Sequence, residues 1–186
     1  GAEIGEAGAR LCVRELLRLV RGVLRSVKDL FCLLYLSWGR RYDFVFSRSF
    51  EYSVAGVFYQ WFRGVPLILE INALQYKERE RYGGGIFLAI RKVFERFVIE
   101  KASATYVVSQ ALVELLKSEG IHPRRVSVIE NGVNVGKFSP DTPKAQVYEG
   151  SELAGKTIVG FTGSLKPWHG VDTAIQAMQH VLPVEP

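Results

Sequence analysis

Cysteine is scarce in this chain, and its two cysteines cannot bridge on the helix that the sequence predicts for them. Cys12 and Cys32 lie twenty positions apart, which at about 1.5 Å rise per residue is roughly 30 Å, far beyond disulfide reach. A disulfide-stapled fold is excluded, and a reducing, cytoplasmic setting fits. Long apolar runs are missing too: the stretch 30–38 is too short to cross a bilayer and follows a segment studded with arginine. No signal-peptide pattern is visible. The glycine-rich stretch 160–170 is followed by no Gly-Lys-Ser/Thr and holds no Gly-x-Gly-x-x-Gly, so it is neither a Walker loop nor a dinucleotide fingerprint, and the absent fingerprint disfavours an epimerase or oxidoreductase. Scattered histidines support no metal site: His122 precedes Pro123 in a turn and His180 sits near a helix end, both structural or solvated positions. Low-complexity segments and internal repeats are also absent.

What is present describes a globular protein. The 186 residues are 48% hydrophobic and 23% charged, a length that suits one domain or one and a fraction. The net charge of +5 favours acidic partners such as phosphates or anionic lipid surfaces over neutral ones. Nucleic acid shares that charge preference, but no motif here calls for it.

Hydrophobic periodicity lays out alternating units. Residues 11–36 read as a long amphipathic helix. Short apolar strands follow at 43–47, 67–71, 104–108 and 126–129, separated by helices at 52–63, 87–101 and 111–119. Gly64 and Pro66 stop the first of these helices, Ser109 is placed to cap the third, and Gly120 ends it. Residues 72–85 read as a polar loop, and 136–156, with two prolines and many polar side chains, as a linker before a new strand at 157–161. Such alternation predicts an α/β fold: a Rossmann-like parallel sheet with helices on both faces. The loops at the carboxyl ends of its strands are then the places for a site.

Two motifs carry chemistry. Glu130-Asn131-Gly132-Val133-Asn134 follows the fourth strand, and Gly160-Phe161-Thr162-Gly163-Ser164-Leu165-Lys166-Pro167-Trp168-His169-Gly170-Val171-Asp172 runs from the apolar segment 157–161 into a helix-like stretch. A glycine-rich turn opening a helix puts unpaired N–H groups and a positive dipole end at one point, a place for an anion. The competing account is an ordinary strand-to-helix turn in which glycine only permits positive φ.

Together, in this order across a linker, the motifs resemble the GT-B glycosyltransferases of family 4, over about residues 42–181. In that family an Asn-Gly-Val segment closes the N-terminal Rossmann-like domain and the glycine loop opens the donor-binding one. The resemblance implies a partial GT-B architecture: residues 1–135 as part of the acceptor-side domain, 136–156 as linker, and 157–186 as the first strand and helix of the donor-binding domain. It implies transfer of a sugar from a nucleotide diphosphate sugar to a carbohydrate or lipid-linked acceptor with retention, in carbohydrate biosynthesis, with no cofactor beyond the donor and no metal. It also implies a chain that is incomplete and inactive by itself, because the family's glycine-rich first strand and its donor-binding Glu-x7-Glu motif are not in their expected places. Glu70 and Glu78 have that spacing by coincidence.

On the same resemblance, Gly163, Ser164, Lys166, His169 and Gly170 are the diphosphate candidates. Many members have arginine and lysine where this chain has Ser164 and His169, so Lys166 is the loop's only fixed cation. Trp168 either packs the loop or touches substrate. Glu70, Asn72, Glu78 and Asn131 are acceptor or sugar-site candidates, with Asn72 where many members place a histidine; the competing account is a solvated loop with a capping asparagine. No catalytic residue is assigned. A non-catalytic, anion- or membrane-binding Rossmann-like module is the alternative from another class.

Finally, Arg10, Arg14, Arg18, Arg21, Arg25 and Lys28 recur every three or four residues along the first helix. At roughly 100° per residue they share an arc of about 80°, with Leu16, Val20, Val23, Leu24, Val27 and Phe31 on another side. Either the apolar side packs on the sheet and the basic side is merely solvated, or the basic stripe holds the protein against anionic lipid as a peripheral membrane protein.

Overall fold

The computed structural model describes residues 2–50, 52–82, 87–139, 150, 152–154, 156–166 and 169–184. The chain divides into two compact units, Gly1–Asn131 and Gly132–Pro186. The first unit opens with α1 (Ala2–Leu36) and continues β1 (Val45–Arg48), α2 (Ala55–Arg63), β2 (Leu67–Ile71), α3 (Gln75–Tyr82), α4 (Leu88–Lys101), β3 (Ala104–Val107), α5 (Gln110–Ser118) and β4 (Val126–Val128).

The strands form one parallel sheet in the order β1-β2-β3-β4, with helices around it. Because side chains alternate along each strand and the register pairs Val45 with Leu67, Leu69 with Thr105 and Ile71 with Val107, these residues share one face. That face is buried: Leu67, Leu69, Ile71 and Val107 join Val57 of α2, Val98 and Ile99 of α4, and Leu112 and Leu116 of α5 in a single core. Gly56 lets α2 approach β2, since a Cβ there would stand 3.0 Å from Leu67 Cδ1. Gln60 stitches the layers, accepting the Leu67 N–H at 2.8 Å and the Ser103 hydroxyl at 2.7 Å while donating to the Lys101 carbonyl at 3.0 Å. The opposite face carries Phe46, Arg48, Glu70 and Tyr106, in register across three strands.

Helix ends follow the expected chemistry in several places. Gly64, in the left-handed region at φ 67°, closes α2 through its N–H to Gln60 O, and the Ser109 hydroxyl accepts from Leu112 N to start α5. Gly120, at φ 66°, ends α5's last turn.

Three expectations are corrected. The polar stretch 72–85 is not all loop, for α3 occupies Gln75–Tyr82. Its start is fixed from outside, by the Glu95 carboxylate accepting from Gln75 N at 2.9 Å and Tyr76 N at 3.1 Å. Among the described residues, Tyr76 within it and Leu74 just before it are the buried apolar side chains, so no periodic stripe announces it. The second correction concerns α1, whose apolar side chains Leu16, Val20, Val23, Leu24, Val27 and Phe31 are exposed, while Glu15 and Ser26, and Ser37 just past its end, are buried. Periodicity marks a helix without choosing the face that packs.

In the second unit, α6 (Val171–Val181) forms where expected, but residues 157–161 make no strand. A strand needs a neighbour to satisfy its backbone groups. None is present among this unit's described residues, and Ile158, Val159 and Phe161 lie exposed.

Candidate functional site

Parallel strands bring polar side chains to the carboxyl edge of the sheet. Glu70, the penultimate residue of β2, has a buried side chain although it is a carboxylate. Burying a charge is unfavourable unless it is paired. Here the Arg48 guanidinium, at the end of β1, donates to Glu70 Oε1 through Nη2 at 2.6 Å and Nε at 3.0 Å. Tyr106, paired with Glu70 across β2 and β3, and Asn72, just past β2, lie beside the same carboxylate. The Arg48 hydrogen bond does most to hold the Glu70 carboxyl below the usual carboxylate range, with Tyr106 and Asn72 adding to it against the opposing effect of burial. In turn, burial first and the bond to Glu70 second push the Tyr106 phenol up. Phe46 stacks on Tyr106 with ring centroids 5.8 Å apart and planes 26° from parallel.

The result is an ionised carboxylate fixed from both neighbouring strands, beside an amide, a half-exposed guanidinium and an aromatic surface. Such a set can hold hydroxyl groups: the carboxylate accepts, the guanidinium and amide donate, and the ring offers an apolar face.

The glycine loop of the second unit is organised locally. Ser164 O accepts from Lys166 N at 2.7 Å and is also met by His169 Nδ1, while His169 N donates to Lys166 O at 2.9 Å. The His169 ring lies 5.6 Å from that of Phe161. A Cβ on Gly163 would come within 2.9 Å of Phe161 Cζ, so a side chain there would have to displace the Phe161 ring. Gly170, at φ 64°, opens α6 with no side-chain cap, leaving first-turn N–H groups available to an anion, although Asp172 adds a negative charge in that turn.

The sequence model of Glycosyltransferase Family 4 matches residues 6–137. The chain belongs to that family. No curated protein matches it. The match covers the whole parallel sheet, and with it Glu70 and Asn72; the loop from Gly163 to Gly170 lies beyond it, so its likeness to the family rests on its own residues.

Within this family 4 domain, the residues singled out from sequence have different surroundings. Glu70 and Asn72 lie together at the end of β2, Asn72 adding to the effects that hold the Glu70 carboxyl low. Glu78 sits in the first turn of α3, and no hydrogen bond ties it to either of them among the described residues. Asn131 is exposed beyond β4, where Ile129 N still reaches Val107 O at 2.9 Å before the chain leaves the sheet. Asn134, from the same motif, closes a local turn, its Oδ1 accepting from Gly136 N and Lys137 N. Gly163, Ser164, Lys166, His169 and Gly170 share one loop, whereas Trp168 and Pro167 lie outside the described residues.

Arg48 and Tyr106 were missed by reasoning from sequence. A signal for Arg48 existed, since it borders the loop after β1. Tyr106 gave none before the register placed it beside Glu70.

Proposed function

We propose that this family 4 chain forms the acceptor side and the opening donor loop of a retaining glycosyltransferase that uses a nucleotide diphosphate sugar. The observation that carries this is the family match over residues 6–137. The polar cluster at the carboxyl ends of β1–β3 supports it, because open parallel sheets bind their ligands at that edge. On this reading residues 1–135 meet the acceptor, 136–156 link, and 157–186 begin the donor side.

Glu70 and Asn72 orient an acceptor hydroxyl, and Arg48 keeps Glu70 ionised so that it accepts rather than donates. Lys166, with His169 and the N–H groups at the start of α6, offsets the charge that grows on the departing nucleotide diphosphate. Neither step needs a metal. Glu70 and Glu78 are not a glycosidase pair, since transfer moves the sugar to the acceptor rather than to water.

The test is an assay of a longer protein that carries this chain against uridine, guanosine and adenosine diphosphate sugars, following nucleotide release and the anomeric configuration of the product by NMR. An α-linked product from an α-linked donor is expected. Inversion would overturn retention, and no nucleotide release with any donor and acceptor pair would overturn the transferase assignment. The 186-residue chain alone is expected to give no turnover, and turnover by it would refute the need for a further donor-binding part.

A further inference from the structure

α1 shows three stripes rather than two. Its packed stripe combines half-buried Leu19, Leu30 and Leu33 with buried polar groups: Glu15 pairs with Arg91 and Arg18, each at 2.5 Å, and Ser26 Oγ accepts from Val54 N at 2.9 Å. Gly22 lies so close to Tyr52 that a Cβ would stand 2.6 Å from its ring. Roughly a third of a turn around, at about 100° per residue, runs the apolar stripe of Leu16, Val20, Val23, Leu24, Val27 and Phe31. It is exposed, from Val23 at 38% to Leu24 at 62% and Phe31 at 66%. Another third of a turn on lies the basic stripe. Between Arg10 and Lys28 the only acidic residue is Glu15, which is buried and already paired. Tyr35 in the last turn of α1 and Trp38 just past its end extend the exposed apolar side, Trp38 at 84%.

We propose that α1 is an in-plane anchor for an anionic lipid bilayer. The apolar stripe sinks to the boundary of the acyl chains, Arg14, Arg21, Arg25 and Lys28 sit at phosphate level, and Tyr35 and Trp38 occupy the interface that suits amphipathic rings. Among the described residues no helix is long and apolar enough to cross a membrane, so the helix lies along the surface. Charge complementarity selects the occupant. A basic stripe in which Arg14, Arg21, Arg25 and Lys28 form no ion pair among the described residues fits a phosphate-bearing surface, and a second copy of this chain, itself carrying a charge of +5, fits it poorly. The anchor does not depend on sugar transfer: a chain that binds lipid but transfers nothing would leave it standing, and the converse would remove it alone.

The experiment sediments the chain with phosphatidylcholine vesicles, with and without about one-third phosphatidylglycerol, at ~0.05 M and ~0.5 M salt. Binding to the anionic vesicles is expected, weakened at least ~10-fold by salt, with a blue shift of tryptophan emission. Leu24→Ser with Phe31→Ser should reduce binding by at least ~10-fold at either salt, because both side chains would otherwise leave water. Arg14, Arg21, Arg25 and Lys28 changed to Gln should remove the preference for anionic lipid; Arg18 is spared because it pairs with Glu15. Circular dichroism and urea midpoints establish that each variant is folded. In Trp38→Phe the vesicle-bound fraction should persist and the blue shift should fall. Equal binding by wild type and both variant sets overturns the proposal, as does a blue shift unchanged by Trp38→Phe. A lipid-free dimer that Leu24→Ser and Phe31→Ser dissociate would give the apolar stripe to a second copy and overturn it as well.

Discussion

Glu70 is fixed by Arg48, 22 positions earlier on a neighbouring strand, and by Tyr106 on the strand to its other side, whereas the loop around Lys166 is fixed by contacts within itself. The first arrangement is a property of strand register, so it exists only when the whole sheet does. The second is a set of turns between near neighbours, with exposed apolar residues beside it. A site made by register is expected to fail with the fold. A site made by a local loop is expected to lose function without losing the fold.

The largest test of this contrast is Leu69→Ala. Leu69 is fully buried in β2, one residue before Glu70, and its loss should destabilise the first unit by about 2–5 kcal/mol in urea unfolding. Val159→Ala, at an exposed position in the second unit, should change stability by no more than about 0.5 kcal/mol. Equal effects would erase the distinction. Next in size, Lys166→Ala in the active protein should lower kcat/KM by about 10- to 1000-fold while leaving the urea midpoint unchanged. An unchanged kcat/KM in this folded variant would remove Lys166 from the mechanism.

Much of the sheet was legible in the sequence because strands such as β2 are short apolar runs with helix-stopping residues before them, here Gly64 and Pro66. The existence of α1 was legible for a similar reason, but not its packing, because burial of Glu15 depends on Arg91, which lies 76 positions away. α3 was hidden because its cap comes from Glu95 and its polar surface is ordered by Lys77 and Glu119. Of the candidate site, Glu70 and Asn72 were named from resemblance, while Arg48 and Tyr106 follow from pairings that no local pattern encodes. The glycine loop was the reverse case: its residues were conspicuous, yet the strand expected before it is missing, since strand formation needs a partner as well as an apolar run.

A smaller effect, again confined to the first unit, concerns pH. Glu119 accepts from Lys77, Lys92 and Tyr76, and these bonds, led by the one from Lys77, hold its carboxyl down at about 2. An unfolded glutamate titrates near ~4.3, so the folded value is the lower one and the contribution is fully present above the unfolded value. It should be lost as pH falls from about 4.5 towards about 2. The Tyr76 phenol moves the other way, pushed up by burial first and Glu119 second, so its share holds below about pH 10 and fades as pH rises further. Urea midpoints measured across the acid range should fall less steeply for Glu119→Gln than for wild type. Parallel curves would show that the network contributes nothing to acid stability.

The smallest effect compares two helix starts. Ser109 caps α5 through a 3.3 Å bond from Leu112 N, at the long end of hydrogen-bond geometry. Ser109→Ala should therefore cost about 0.5–1 kcal/mol, the lower part of the range for lost caps. Gly170 starts α6 without any side-chain cap and in the left-handed region, so Gly170→Ala loses no bond and instead strains the backbone by about 1 kcal/mol. The two substitutions thus resemble each other in size and differ in cause. Ser109→Thr restores a hydroxyl and should recover most of the loss at α5. Gly170→Asn should recover part of the loss at α6, because asparagine tolerates positive φ better than alanine. If Gly170→Asn were no more stable than Gly170→Ala, strain at Gly170 would not govern the start of α6, and the glycine would be needed there only for close approach of a ligand.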